Sequence, residues 1–102
     1  MPQNKKFYVR KTADKDLEAI FIYSVENFGM KRAEEYIDDI IAAFQNLADN
    51  FKQGRGCSHV RPNLYAWNVV SHVIFYKPTK DGVSIYRVLH KSMDHRKHMG
   101  SR

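Results

Sequence analysis

The chain has 102 residues, 43% of them hydrophobic and 13% aromatic, and it carries a formal net charge of +6. This length and composition suit one folded domain, residues 1–102, and exclude both a two-domain protein and a disordered chain. The single cysteine, Cys57, excludes an internal disulfide and a thiolate metal site.

The positive charge lies in the second half of the chain. Residues 1–50 contain seven Lys and Arg against nine Asp and Glu, whereas residues 51–102 contain ten against two. A basic half of this kind favours an anionic partner, either nucleic acid or an acidic protein surface. The N-terminal residues lack the apolar core of a secretory signal, and no apolar run approaches the length of a membrane span. We therefore expect a cytoplasmic protein that does not enter a membrane.

The N-terminal half predicts one strand followed by two helices. Lys5–Arg10 alternates as a short strand does. Thr12 is the predicted N-cap of a first amphipathic helix that ends near Asn27 and is stopped by Gly29. A second helix is predicted over Lys31–Phe51, with a wide apolar stripe on one side. Two helices separated by so short a break form an antiparallel hairpin, which needs a sheet to cover its stripe.

The C-terminal half predicts an irregular connection and three strands. Lys52–Asn63 contains two Gly and one Pro and is the irregular connection. Leu64–Val70 is a strand candidate, and His72–Lys77 with Val83–His90 predicts a β-hairpin whose five-residue connection is Pro78–Gly82. The element order β-α-α-β-β-β predicts an α+β fold, with a helical hairpin packed on a small, mainly antiparallel sheet.

The strands of the predicted hairpin carry apolar residues at both odd and even positions. Val73, Ile74 and Phe75 follow one another in the first strand, and Val88 and Leu89 are adjacent in the second. A strand exposed on one face alternates apolar and polar residues, so these strands are expected to be covered on both faces.

Four short motifs resemble the ParE toxins of the RelE/ParE toxin–antitoxin superfamily. These are FG-x3-A-x2-Y from Phe28 to Tyr36, F-x2-LA at Phe44–Ala48, SHVIFY at Ser71–Tyr76 and RVLHKSMD at Arg87–Asp94. Together with the order of elements, the resemblance covers nearly the whole chain. It is most specific in the two C-terminal motifs.

The resemblance implies a small toxin that is not an enzyme and needs no cofactor or metal. Such toxins inhibit DNA gyrase and stabilise a plasmid or chromosome. A ParD-type antitoxin neutralises them, and it contacts operator DNA through its own ribbon-helix-helix head, so the toxin reaches that DNA only through the antitoxin. The acidic arm of such an antitoxin wraps the toxin.

Two contact surfaces follow from this resemblance together with the charge pattern and the apolar stripe. The basic hairpin and tail are expected to bind gyrase, and the helical hairpin is expected to hold the antitoxin arm. The expected gyrase contacts are Arg61, Arg87, His90, Lys91, Arg96 and Lys97, and the expected antitoxin contacts are Ile20, Tyr23, Tyr36, Ile37, Ile41 and Phe44.

The alternative function is that of the ribonuclease branch of the same superfamily, whose RelE-like members share this fold and cut messenger RNA on the ribosome. Cleavage by a 2′-OH needs a base, an acid and a cation for the phosphate, which Arg87 and a C-terminal histidine would have to supply. That branch places a Tyr or a His-Tyr pair near its C-terminus, whereas residues 98–102 read HMGSR. A third reading is an inactive toxin fold that serves only in operon repression.

Several single residues have a structural and a functional interpretation. Arg87 lies inside an apolar strand and needs a carboxylate or carbonyl partner, as an ion pair of the fold or as a target contact. His90 is expected to bond a backbone carbonyl or Asp94 rather than act as a base. Cys57, flanked by basic residues, is either a thiol with a lowered pKa or an incidental loop cysteine.

The remaining candidates favour a structural interpretation. Ser71, His72 and Asp94 suggest a triad, but adjacent strand residues point to opposite faces, so the first two should not meet. Tyr65 and Trp67 are expected in the core rather than as a stacking platform for bases. His95 and His98 lie three residues apart without a thiolate, and we expect no metal there.

Overall fold

Two helices pack on one face of a five-stranded sheet in the computed structural model, which describes residues 5–93. The predicted α+β fold, with a helical hairpin on a mainly antiparallel sheet, is confirmed. One short strand, β2, lies inside the segment expected to be irregular. The elements are β1 Lys6–Val9, α1 Lys11–Phe28, α2 Met30–Asp49, a short 3-10 helix Phe51–Gln53, β2 Arg55–Gly56, β3 Tyr65–Val69, β4 His72–Thr79 and β5 Gly82–His90.

The sheet is mixed, with strand order β1-β5-β4-β3-β2. β1 and β5 pair in parallel, and all other pairs are antiparallel. The helical hairpin connects β1 to the other strands, and this leaves the first strand of the chain beside the last. No helix within residues 5–93 is long and apolar enough to cross a membrane.

The two helices meet at Gly29, which has φ 89° and ends α1 as predicted. α2 begins at the next residue and runs to Asp49, two residues short of the predicted end. The predicted cap at Thr12 is wrong, because α1 already begins at Lys11 and no side chain caps it. The Thr12 hydroxyl instead donates to the carbonyl oxygen of Tyr86, at 3.0 Å.

The β4–β5 hairpin is longer than predicted, and its turn is shorter. β4 continues through Pro78 to Thr79, which pairs with Gly82, so two residues rather than five connect the strands. Pro78 lies beyond Tyr76, the last residue of β4 that pairs with β3, and its missing N–H therefore removes no hydrogen bond of that pairing. Gly82 has φ 158°, and a Cβ there would collide with the carbonyl of Lys6.

The sheet is covered on both faces, as predicted for its central strands. On the helix side, Ile74 and Tyr76 of β4 pack with α2 in the main core. On the other side, which we call the far face, Val73 and Phe75 pack with residues of the β2–β3 connection. That second cluster consists of Cys57, Leu64, Ala66, Val73, Phe75 and Leu89, with Val60 and Tyr86 against it.

The start of α1 covers the part of β5 that β1 does not reach. β1 pairs only as far as Ile85, so the next residues of β5 would form an open edge. The Arg10 N–H donates to the carbonyl of Ile85 at 3.0 Å, and the Val88 N–H donates to the Asp16 carboxylate at 2.9 Å. The helix start thus satisfies backbone groups of β5 in place of another strand.

Candidate functional site

Arg87 forms the ion pair that its position inside an apolar strand requires. Its Nε lies 2.8 Å from one carboxylate oxygen of Asp16, and its Nη2 lies 2.9 Å from the other. This is the two-point geometry that favours Arg over Lys. The hydrogen bond from Arg87 to Asp16 raises the pKa of the guanidinium above its ordinary value. The expectation of a carboxylate partner is confirmed, and Asp16 also accepts from the backbone of Val88.

His90 and Lys91 lie at the end of β5. The Ser92 N–H donates to His90 Nδ1 at 3.1 Å, and the Ser92 hydroxyl lies 2.7 Å from the same nitrogen. The described partner of His90 is thus Ser92 rather than a carbonyl, and Asp94 lies outside the described residues. Lys91 is exposed, and its backbone N–H donates to Ser71 O at 2.9 Å.

The other predicted gyrase contacts lie in other parts of the chain than His90 and Lys91. Arg61 lies in the connection between β2 and β3, and its backbone N–H donates to Cys57 O. Arg96 and Lys97 lie outside the described residues, as do His95 and His98. The described members of this set are therefore spread over the β2–β3 connection, the middle of β5 and the residues that follow β5.

Two of the predicted antitoxin contacts are core residues. Phe44 is fully buried and Ile20 nearly so, because the stripe they belong to faces the sheet. Their assignment to an accessible surface is therefore corrected. Ile37 is half-buried against the same core, whereas Ile41 is 39% exposed and Tyr23 is 61% exposed.

A cleft of about 330 Å³ opens where the helical hairpin meets the β3–β4 turn and the end of β5. The two helices supply one wall, and the turn and His90 supply the other. We call this the hairpin cleft. Its lining consists of Tyr23, Ser24, Phe28, Arg32, Tyr36, Val70, Ser71, His72 and His90.

The Tyr36 hydroxyl ties α2 to the β3–β4 turn at the base of this cleft. It lies 3.1 Å from Val69 O, 2.7 Å from His72 Nδ1 and 3.3 Å from Ser71 N. The hydroxyl has one proton, and the Val69 carbonyl can only accept. If that proton goes to Val69, His72 Nδ1–H must donate to the hydroxyl, which leaves His72 Nε2 as an acceptor. Burial raises the pKa of Tyr36, so the hydroxyl keeps its proton near neutral pH.

His72 is held in its neutral form. Burial and, secondarily, the neighbouring His90 lower its pKa to about 4. The two rings are in edge-to-face contact, with centroids 5.3 Å apart. An imidazole with so low a pKa carries no charge at neutral pH, so it contributes a hydrogen-bonding group to the cleft rather than a cation.

Val70 is the most exposed large apolar residue among residues 5–93 and has an unusual backbone conformation. Its φ is 50°, and its side chain is 76% exposed. A β-branched residue is strained at positive φ, and such strain clusters at functional sites. Tyr23 and Phe28, on the opposite wall, are also more than half exposed. The rim of the hairpin cleft is thus apolar on both sides.

The lining of the hairpin cleft contains basic and apolar groups but no carboxylate. Arg32 is exposed, and no described acidic side chain lies within ion-pair distance of it. This chemistry suits a segment that presents apolar side chains together with an acidic one. Within residues 5–93, no group of three His, Cys, Asp or Glu side chains converges as a metal site would require.

The triad residues and Cys57 take structural positions. Ser71 lies in the turn before β4, where its carbonyl accepts from Lys91, and Asp94 is outside the described residues.

Cys57 is buried on the far face, and burial raises its pKa despite the opposing charge of Arg55, so the lowered pKa considered above is wrong. Tyr65 and Trp67 pack against the main core, as predicted.

Arg32, Val70 and His72 are among the cleft residues that were not expected there from sequence. They come from α2, the β3–β4 turn and β4, which meet only in the folded chain. One signal was present in the sequence, since the Val70-Ser71 link joins two strands without the usual turn residues.

Comparison with known proteins identifies relatives over most of the chain. The sequence model of the family described as "ParE toxin of type II toxin-antitoxin system, parDE" matches residues 7–95. The chain is 30% identical over 92 residues to toxin ParE1 of Mycobacterium tuberculosis, covering 89% of this chain and 94% of that protein. It is 31% identical over 96 residues to toxin ParE1 of Caulobacter vibrioides, covering 94% and 99%.

A solved structure has the same fold. It is described as the chromosomal ParDE toxin–antitoxin system from P. aeruginosa, and the match has a TM-score of 0.73. It covers 85% of this chain and 96% of the solved chain at 19% sequence identity. At that identity the likeness supports the arrangement of helices and strands alone.

Proposed function

The chain belongs to the ParE toxin family of type II toxin–antitoxin systems, and from this premise we propose that it inhibits DNA gyrase without turnover and is neutralised by a ParD-type antitoxin. On this proposal it works in the cytoplasm as a protein inhibitor, and it reaches operator DNA only through the antitoxin. The family match over residues 7–95 is the observation that carries the proposal.

We place the antitoxin arm in the hairpin cleft. Tyr23 and Tyr36, two of the contacts expected from sequence, line it, and Phe28 and Val70 add exposed apolar surface on either side. Burying a large side chain between such walls contributes about 1.5–3 kcal/mol. Arg32 at the cleft then selects an arm with an acidic residue beside its apolar ones. Ile41, on the outer face of α2, is kept in the proposal as a peripheral contact.

The antitoxin contact is tested with two matched pairs of variants on the helical hairpin. Tyr23→Ala and Phe28→Ala remove groups that line the cleft, whereas Ile22→Ala and Met30→Ala remove exposed apolar groups that do not. Calorimetric titration with the ParD-type antitoxin should show binding at least about tenfold weaker for the first pair, as for a central contact residue. The second pair should stay within about threefold. Equal weakening in both pairs would place the arm elsewhere.

Gyrase inhibition is tested directly. Purified protein added to gyrase and relaxed plasmid should reduce supercoiling or trap cleaved DNA, and prior addition of antitoxin should prevent this. If neither effect appears at micromolar excess while expression still kills cells, the target is another molecule.

The ribonuclease alternative gains no support from Arg87, the cation it would need for the phosphate. Both guanidinium bonds described above go to Asp16, which neutralises the charge. Primer extension on messages after induction tests this alternative, because a ribonuclease creates discrete new 5′ ends. Growth after expression without antitoxin separates both active forms from an inactive subunit, which would be harmless.

A further inference from the structure

A basic site distinct from the hairpin cleft lies on the far face of the sheet, around the ring of Tyr86. The Arg10 guanidinium carbon lies 4.6 Å from the ring centroid, and the Lys77 ammonium lies 5.2 Å from it. The Arg10 Nη1 also donates to the Tyr86 hydroxyl at 3.2 Å. Three separate elements, the start of α1, β4 and β5, therefore bring two cations to one aromatic ring.

Tyr86 is placed there by an irregularity in the sheet. Phe75 pairs with Arg87 and Tyr76 pairs with Ile85, so Tyr86 is the extra residue of a bulge. A bulge re-aims a side chain and is frequent near functional sites. Here it directs Tyr86 to the far face, where the ring packs against the second core cluster. The packed ring fixes the position of both cations.

The two cations lack a carboxylate partner among residues 5–93. They share one ring and so lie within a Debye length of each other, about 10 Å at 0.1 M salt, where like charges repel. Two acidic side chains close to them in sequence have other contacts: Asp16 holds Arg87, and Asp81 accepts from the Tyr8 hydroxyl at 2.9 Å. An anion bound next to both cations would relieve the repulsion.

We propose that Arg10, Lys77 and Tyr86 form a binding site for a carboxylate of an acidic protein segment. The Arg fork matches a carboxylate, and the Lys ammonium adds a second charge. A nucleic acid backbone fits less well, because it needs a row of cations along successive phosphates.

This site is separate from the hairpin cleft. Arg10 precedes the first residue of α1, and Tyr23 lies about 20 Å farther along the helix axis. One protein can therefore occupy the cleft while another carboxylate occupies the far face. The proposal does not depend on the identity of the antitoxin or of the toxin target.

The test uses octaglutamate as the probe and isotope-labelled full-length protein. Titration followed by amide NMR spectra should shift signals of Arg10, Lys77 and Tyr86. The variant Arg10→Gln/Lys77→Gln should bind at least fivefold more weakly than the parent chain. The control Lys11→Gln/Lys80→Gln loses the same charge from exposed positions nearby and should stay within twofold.

The Arg10 side chain also donates to the Tyr86 hydroxyl, so Lys77→Gln alone serves as the variant that keeps that contact. It should weaken octaglutamate binding at least twofold with an unchanged melting temperature. The proposal is overturned if octaglutamate shifts no signals at millimolar concentration, or if both double variants weaken binding equally. It is also overturned if a single-stranded DNA oligonucleotide of equal charge binds these residues more tightly at the same salt.

Discussion

The two helices of the hairpin have similar lengths but different surroundings. α2 buries Phe44, Leu47 and four other residues, and nearly all of its apolar stripe lies against the sheet. α1 buries only Ala13, Ile20 and Ser24. Its second half leaves Ile22, Tyr23 and Phe28 more than half exposed. α2 thus stabilises the fold, whereas the second half of α1 carries apolar surface that the core does not use.

The first half of α1 joins the fold through Ala13 and Asp16. Ala13 is fully buried, and Asp16 joins the helix to Arg87 and to the backbone of β5. The second half of α1 also supplies the buried Ile20 and Ser24, but it alone carries the exposed large apolar residues of this helix that can contact a partner. Substitutions at Asp16 and at those exposed residues should change different measured quantities.

The largest expected effect comes from Phe44→Ala in α2. Phe44 is fully buried and contacts the ring of Phe7, so truncation should lower the free energy of unfolding by about 3–5 kcal/mol. Ile41→Ala on the same helix, at a 39% exposed position, should cost less than about 1 kcal/mol. Urea denaturation measures both, and similar losses in the two variants would mean that α2 is not the main support of the core.

Asp16→Asn should have the next largest effect and tests the first half of α1. The substitution removes the charge that pairs with Arg87, whose side chain is 22% exposed against 13% for Asp16. Removing one charge of a buried ion pair lowers the free energy of unfolding by about 3–5 kcal/mol, because the other charge stays buried without a partner. The partial exposure of this pair reduces the expected loss to about 2 kcal/mol. Asp14→Asn, exposed in the first turn, serves as the control in the same urea titration. Equal stability of the two variants would contradict a structural role for the pair.

The sequence predicted the features that depend on local spacing. Apolar residues at three- and four-residue steps located both helices, and Gly29 marked the turn between them. Consecutive apolar residues in β4 correctly indicated coverage on both faces. The need of Arg87 for a carboxylate also followed from burial alone, since an unpaired charge in an apolar strand is costly.

Features that depend on long-range contacts were not predictable in the same way. Asp16 lies 71 residues from Arg87 and was one of several acidic candidates. The exposed surface of the stripe was misjudged at Phe44, because periodicity shows which residues share a face but not how far the sheet covers it. The bulge at Tyr86 shifts the alternation of β5 without any glycine or proline to signal it.

His72 gives a smaller, pH-dependent effect at the base of the hairpin cleft. Its pKa in the folded protein is about 4, below the ordinary value of 6.5, so the unfolded chain takes up a proton first as pH falls. Stability should therefore decrease between pH 6.5 and pH 4, by about 1 kcal/mol because solvent screens this half-buried ring. His72→Asn should flatten that slope in thermal melts, and His59→Asn, in an exposed loop, should not. A slope unchanged in His72→Asn would assign the pH dependence to other groups.

Val70→Gly should have the smallest effect on stability. It separates the stability of the fold from the binding of the antitoxin most clearly. Val70 has positive φ at the first position of a two-residue turn, where glycine is preferred. Relief of the strain, partly offset by the flexibility of glycine in the unfolded chain, should leave stability unchanged or raise it by up to about 1 kcal/mol. Antitoxin binding should nevertheless weaken about fivefold, because the variant removes the most exposed apolar side chain of the cleft. Paired melting and calorimetric measurements test this. A more stable variant with undiminished affinity would mean that the strain at Val70 is not maintained for binding.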